Sequence, residues 1–235
     1  DAKSKKRALA FYESICDAAI SVSTPEVAEA AKLLENTFRL VNIALVNEFT
    51  QLCSISGISV HEVIDAASTK PYGFMPFRPG VGVGGHCIPV DPLYLTWWAR
   101  ENGGAASFVE SADTINHAMP RYVAERALGM VREGISNPKV LILGVAYKPG
   151  VGDVRETPVA ELRNHLSALG AVVAWHDPLV SVWEGSEPVD LDWICDIAIL
   201  ATKQPGMDIK QLLVKGIQIL DCTNSFSGTA GVIPL

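Results

Sequence analysis

The residue best placed for nucleophilic chemistry is Cys87, in Gly84-Gly85-His86-Cys87-Ile88-Pro89-Val90-Asp91. A free thiol with a pKa near 8.5 is only about 3% thiolate at pH 7, and amides at a nearby helix N-terminus favour the anion. Asp91 stands before Pro92 and suits the N-cap of the helix that starts there; it equally suits a carboxylate that holds a water or a lysine. Lys32 and Asn36 are four residues apart, share a helix face, and offer an ammonium and an amide to one developing oxyanion. A solvated polar stripe is the plainer reading of that pair. His86 adjoins Cys87, but sequence neighbours rarely aim their side chains at each other, which argues against a Cys–His hydrolase. The other four cysteines, Cys16, Cys53, Cys195 and Cys222, read as small buried apolar residues.

A second constellation follows Val140–Gly144, a strand-like run. The loop after it carries Tyr147, Lys148 and Arg155, and Thr157-Pro158 supplies a helix cap and first helical residue. Strand, cationic loop and helix N-terminus together make a phosphate-binding layout, although the spacing fits neither G-x-G-x-x-G nor a P-loop. Gly80–Gly85 does match G-x-G-x-x-G, yet Phe77-Arg78-Pro79 and His86–Pro89 flank it where a strand and a helix belong. It reads as backbone that hugs a ligand, since glycines permit close approach. Asp177, after Val172–His176, takes either the place of a ribose-binding acid or a turn.

The elements that must position these groups are legible from periodicity. Thr24-Pro25 starts a helix that nothing breaks before Gly57, with Val27, Ala31, Leu34, Phe38, Val41 and Leu45 on one apolar stripe and Lys32, Asn36, Arg39 and Asn47 on another. Shorter helices are expected over 4–16, 60–67, 93–100 and 108–131, and Ala18–Val22 reads as a short strand. The Pro- and Gly-rich stretch from Pro71 to Gly85 is too long for a mere connector. From Lys139 strands alternate with helices (Val140–Gly144, 158–169, Val172–His176, Ile197–Ala201, a helix near Gln211, Ile217–Asp221), which implies a parallel sheet. The fold class is α/β: an all-helical central part followed by a Rossmann-like part, divided near Asn137-Pro138.

At 235 residues the chain has room for about 1.6 average domains. Nineteen basic against 26 acidic residues, a net charge of −7, provide no field for a nucleic-acid backbone. Apolar runs fall short of the roughly 20 residues of a membrane span. Five dispersed cysteines without C-x-x-C, and no secretory signal, point to a reducing, cytoplasmic setting. The five histidines show no metal spacing, so no metal is expected.

Three blocks, Ala28–Asn36, Gly82–Pro92, and Leu143–Lys148 running to Arg155-Glu156-Thr157-Pro158, resemble in order the nucleotide-sugar 6-dehydrogenases, the family of UDP-glucose and UDP-N-acetylhexosamine dehydrogenases. The resemblance implies a helical central domain (24–136) that forms a homodimer through the long helix (25–55) and a UDP-binding α/β domain (137–235). Residues 1–23 resemble the end of an NAD-binding domain that precedes these two in the family. Oxidation of the C6 alcohol of a UDP-sugar to a carboxylate with two NAD is implied, with Cys87 forming a thiohemiacetal and then a thioester. On the same ground Lys32 and Asn36 stabilise the oxyanion, Asp91 works with Lys32 on a water or proton, Arg78, Gly84 and Gly85 face the sugar, Tyr147 and Lys148 meet the diphosphate, and Arg155 reaches NAD. The cofactor belongs mainly to the preceding domain, so these 235 residues alone are not expected to turn over. His86 and Ile88–Asp91 resemble the 2-acetamido-sugar members, whereas glucose-specific members carry Ser before the cysteine; UDP-N-acetylglucosamine or UDP-N-acetylmannosamine is therefore expected. Thr223 stands where many members have Arg. A UDP-glucose enzyme, a non-catalytic UDP-sugar-binding module and an NAD reductase built on the second half alone are the alternatives.

Overall fold

A computed structural model describes residues 1–235 as seven helices and one five-stranded sheet. The long helix α2 (Pro25–Ser56) follows α1 (Ala2–Glu13) and begins where Thr24 caps it, its side chain accepting from the Val27 amide at 3.4 Å. It ends at Gly57, whose φ of 68° takes the left-handed turn that glycine adopts without a Cβ penalty. The segment 18–22, expected as a strand, has no regular structure: no strand lies beside it, and the Val22 carbonyl instead accepts from Lys5 Nζ at 2.7 Å.

The face that α2 buries is the reverse of the one its apolar stripe suggests. Leu34 and Leu45 are 69% and 59% exposed, while Asn36, Leu40, Ala44, Asn47, Thr50 and Cys53 turn inward. The inward amides are affordable because each is bonded. Asn47 donates to Asn116 Oδ1 at 2.9 Å, Asn116 donates to the Leu40 carbonyl at 3.2 Å, and Asn47 Oδ1 accepts from the Gly80 amide at 3.1 Å. These bonds tie α2, α5 (Ser107–Gly129) and the start of the glycine loop into one network.

The helices α3 (Val60–Ser68) and α4 (Asp91–Glu101) flank the glycine loop, and α5 joins the two parts of the chain. The N-terminal half of α5 packs Val109 and Ala112 against Leu40 and Ala44; its C-terminal half places Met119, Val123, Ala124 and Ala127 in the core of the sheet. Central and C-terminal parts thus share a hydrophobic core.

The strands are β1 (Lys139–Leu143), β2 (Val172–His176), β3 (Ile197–Leu200), β4 (Gln218–Asp221) and β5 (Val232–Pro234), all parallel in the order β2-β1-β3-β4-β5. The register sets Val140 opposite Val173 and Ile197. Both faces of β1 are covered, which is why it is apolar throughout. Val140 and Ile142 meet α5 and α6 (Pro158–Ala168); Leu141 and Leu143 meet Leu212 of α7 (Lys210–Val214). Each buried leucine or isoleucine here contributes about 1.5–3 kcal/mol. No helix is long and apolar enough to cross a membrane.

His61 on α3 is buried, and neither ring nitrogen has a hydrogen-bond partner. Burial lowers its pKa, and the Arg78 charge lowers it further against the opposing carboxylates of Asp221 and Asp65. Above the ordinary value of about 6.5 both folded and unfolded chains hold a neutral ring; below it the unfolded chain binds the proton first. Stability should therefore fall as pH drops below that value, and urea unfolding at neutral and mildly acidic pH should show His61→Leu flattening the dependence.

Candidate active site

The site is built where the glycine loop meets the carboxyl edge of the sheet. Gly85 donates its amide to the Glu156 carbonyl at 3.2 Å, docking the cysteine loop on the loop between β1 and α6. The glycines there make room for protein rather than ligand alone. A Cβ on Gly84 would lie 2.7 Å from Pro158 Cδ and 2.9 Å from Tyr147 Cβ, and one on Gly85, where φ is +90°, would lie 3.0 Å from the Tyr147 ring. Two residues further on, Cys87 is exposed.

Cys87 precedes α4 by a turn, and it is its carbonyl that receives the Asp91 amide at 2.8 Å. The cap of α4 is Val90, without a side-chain bond, so Asp91 is not the N-cap; it sits at the first helical position. Its carboxylate instead accepts from Asn36 Nδ2 at 2.6 Å, across 55 residues of sequence. Lys32, expected beside Asp91, is exposed and pairs with Glu35 at 3.0 Å. One helical turn separates the buried Asn36 from Lys32, and that turn carries the chain from packed to solvated surface. The structure thus joins the Asp91 carboxylate to Asn36 and holds Lys32 on Glu35.

Beside the cysteine, His86 Nε2 lies 4.0 Å from Asp153 Oδ2. Asp153 in turn grips Arg155 with two bonds, 2.9 Å to Nε and 2.8 Å to a terminal nitrogen. Those bonds, with the Arg155 amide, hold the Asp153 carboxyl well below the usual carboxylate range. Asp153 was missed in the sequence, where only its cationic neighbour stood out.

A cavity of about 320 Å³ opens at the carboxyl ends of β1, β3 and β4, lined by Arg78, Gly80, Tyr147, Lys203, Thr223 and Ser225 among others. Chain order reverses between β1 and β3, the switch point where open α/β sheets bind ligands. Arg78 lines this cavity but pairs with Asp65 and donates to the His61 carbonyl at 3.4 Å. Lys148 is exposed, its ammonium 5.4 Å from the Tyr147 ring centre, and does not line the cavity. A larger groove of about 820 Å³ runs between α1 and the 18–25 segment, mostly apolar and without convergent acid–base groups.

Asp177 is no ribose ligand. It is 1% exposed, and its oxygens accept from the amides of Val145, Ala146 and Leu179 and from Gln204. It therefore holds the loop after β1, and the turn reading is the one realised. Among the cysteines, Cys53, Cys195 and Cys222 are buried, with burial pushing the Cys195 thiol up to about 11, but Cys16, expected inside, is exposed because the segment around it has nothing packed over it.

Two models of the UDP-glucose/GDP-mannose dehydrogenase family match the chain, the central domain over residues 26–118 and the UDP-binding domain over residues 141–224. A UDP-N-acetyl-D-mannosamine dehydrogenase of Methanococcus maripaludis is 38% identical over 183 residues, 77% of this chain and 42% of that protein. A UDP-N-acetyl-D-glucosamine 6-dehydrogenase of Pseudomonas aeruginosa is 38% identical over 174 residues, 73% of this chain and 41% of its own length. The solved UDP-D-ManNAc dehydrogenase of Pyrococcus horikoshii superposes with a TM-score of 0.84 at 31% identity, covering 99% of this chain and 56% of that one. The chain spans about half the length of the curated relatives it matches.

Proposed function

Because the chain belongs to the UDP-glucose/GDP-mannose dehydrogenase family, we propose that it is the part of a UDP-2-acetamido-hexose 6-dehydrogenase that holds the UDP group and carries the nucleophile. The observation that carries this reading is the seat of the cysteine loop: Gly84 and Gly85 rest on Tyr147, and Tyr147 lines the cavity. A nucleotide in the cavity would extend its sugar along that loop toward Cys87.

The reaction converts –CH2OH to a carboxylate, releasing two hydrides and taking up one water. Cys87 sulfur adds to the C6 aldehyde after the first oxidation, giving a thiohemiacetal; loss of a second hydride leaves a thioester, and water displaces the thiolate. The Asn36 amide orients Asp91, whose carboxylate is placed to take a proton from that water. Lys32 joins the site only if its side chain leaves Glu35. NAD, when bound, supplies the hydride acceptor. The fit of this chain to NAD is confined to Arg155, an exposed cation held by Asp153, because the sheet's one acid at the ribose position, Asp177, is fully occupied. We therefore read hydride acceptance as depending on residues outside this stretch, and the soluble homodimer through the exposed stripe of α2 as part of the same proposal.

Alkylation by iodoacetamide tests the reading. Cys87 and Cys16 should label, the three buried cysteines should resist, and a saturating UDP-2-acetamido-hexose should protect Cys87 but not Cys16. Equal labelling of Cys87 with and without the sugar nucleotide would contradict the reading.

A further inference from the structure

Gln204, on the loop after β3, is fully buried, and its amide is engaged on both sides. Its Nε2 donates to the Val151 carbonyl at 3.0 Å and to Asp177 Oδ2 at 3.3 Å, and its Oε1 accepts from the Gly150 amide at 2.8 Å. Asp177 is just as enclosed, and the same Oδ2 accepts from the Val145 and Ala146 amides at 2.9 and 3.2 Å. Asp177 therefore holds the start of the loop between β1 and α6, and Gln204 holds the stretch around Gly150. The bond between the two side chains closes that loop at its base.

What the closed loop carries is the seat of the cysteine loop. Tyr147 stands between the two held ends, its amide donating to the Asp153 carbonyl at 3.1 Å, and its ring is what a Cβ on Gly85 would meet at 3.0 Å. Further along, Glu156 has a φ of 49°, and its carbonyl receives the Gly85 amide. A left-handed backbone at a residue other than glycine persists only where its surroundings over-determine it. Neither Gln204 nor Asp177 lines the cavity, so the pair acts on the site only through the loop it closes.

We propose that Gln204 is a positioning residue for Cys87: its buried amide keeps the loop between β1 and α6 closed, and the closed loop fixes the cysteine loop that rests on it. That Cys87 then meets a sugar nucleotide rests on the UDP-sugar reading above. A hydrocarbon side chain at position 204 would leave the Gly150 amide and the Val151 carbonyl without partners, and the loop would regain them only by opening to water.

The experiment is hydrogen exchange read by mass spectrometry on the 235-residue chain, as the native sequence, Gln204→Leu and Gln204→Glu. Urea unfolding checks that each variant is folded, and iodoacetamide labels Cys87 with and without a UDP-2-acetamido-hexose. Gln204→Leu should raise exchange over residues 84–90 and 144–153 at least about tenfold, the effect of a buried hydrogen bond left unmade, and leave α2 and the N-terminal half of α5 unchanged. Gln204→Glu keeps the shape of the side chain and makes the clamp titratable. Burial and the Asp177 carboxylate keep the introduced carboxyl protonated at about pH 6, where it still donates, and it ionises towards about pH 9. Exchange over 84–90, relative to the native chain, should therefore rise with pH, and the sugar nucleotide should protect Cys87 less in each loosened state. Where Gln204→Leu fails to fold, the pH dependence of Gln204→Glu decides alone. Unchanged exchange over 84–90, or a rise spread evenly over the chain, would overturn the assignment to Gln204 and leave the UDP-sugar reading standing. If 84–90 loosens as expected but the sugar nucleotide does not protect Cys87 even in the native chain, the link from Gln204 to the cysteine loop stands and the UDP-sugar reading falls.

Discussion

Cys87→Ser, introduced into the longer enzyme of which this chain is proposed to be a part, is expected to lower uronate formation by on the order of a thousandfold, about 4 kcal/mol of transition-state stabilisation. A serine hydroxyl stays protonated at neutral pH, far from the thiolate that a cysteine supplies, and the adjacent imidazole of His86 lies 4.0 Å from Asp153. An alkoxide is also a poorer leaving group than a thiolate, so an acyl intermediate that did form would hydrolyse slowly. Progress curves of NAD reduction, with intact-mass spectrometry for an accumulating acyl-enzyme, give the readout. Uronate formation at the native rate would show that Cys87 carries no covalent step.

Gly144→Ala should cost more stability than alanine at any other glycine of this chain, beyond about 4 kcal/mol. Gly144 has a φ of +79°, and a Cβ there would lie 1.9 Å from the Thr202 carbonyl oxygen, a backbone atom that cannot swing aside. Gly150 is a built-in control, with the same φ of +79° and nothing within 4 Å of the added carbon. Gly150→Ala should cost only the backbone strain, about 1–2 kcal/mol. Urea unfolding of the two variants separates strain from collision, and equal losses would refute the close approach. Because Gly144 leads into the loop that holds Tyr147, the first variant should also disorder the cavity wall.

Much of the fold was readable because it depends on local signals. Thr24-Pro25 and Thr157-Pro158 are caps whose chemistry lies within four residues, and both helices start there. The four long strands are apolar runs bounded by turn residues, and they pair as expected. The three-residue β5 carries too little pattern to be seen, being made by its neighbour β4. The direction that α2 faces was not readable, since periodicity reveals a stripe and not its partner; here the inward stripe mixes Leu40, Ala44 and Cys53 with polar residues, and its Asn47 is satisfied by Asn116 and Gly80 from distant sequence. The site divides in the same way. Cys87, Asn36, Asp91 and Arg155 announce themselves by type and position. What each touches does not: Asn36 meets Asp91 across 55 residues, and Asp153 acquires its significance only when the cysteine loop brings His86 to within 4.0 Å of it.

The proposal that the chain holds a UDP-acetamido-sugar is tested most directly by titrating the 235 residues calorimetrically with UDP-N-acetylglucosamine, UDP-N-acetylmannosamine, UDP-glucose and NAD. The account predicts that the UDP compounds bind, with an acetamido sugar favoured over glucose, and that NAD gives no saturable heat. Saturable binding of NAD with no binding of any UDP compound would contradict it and turn the second half into a dinucleotide site.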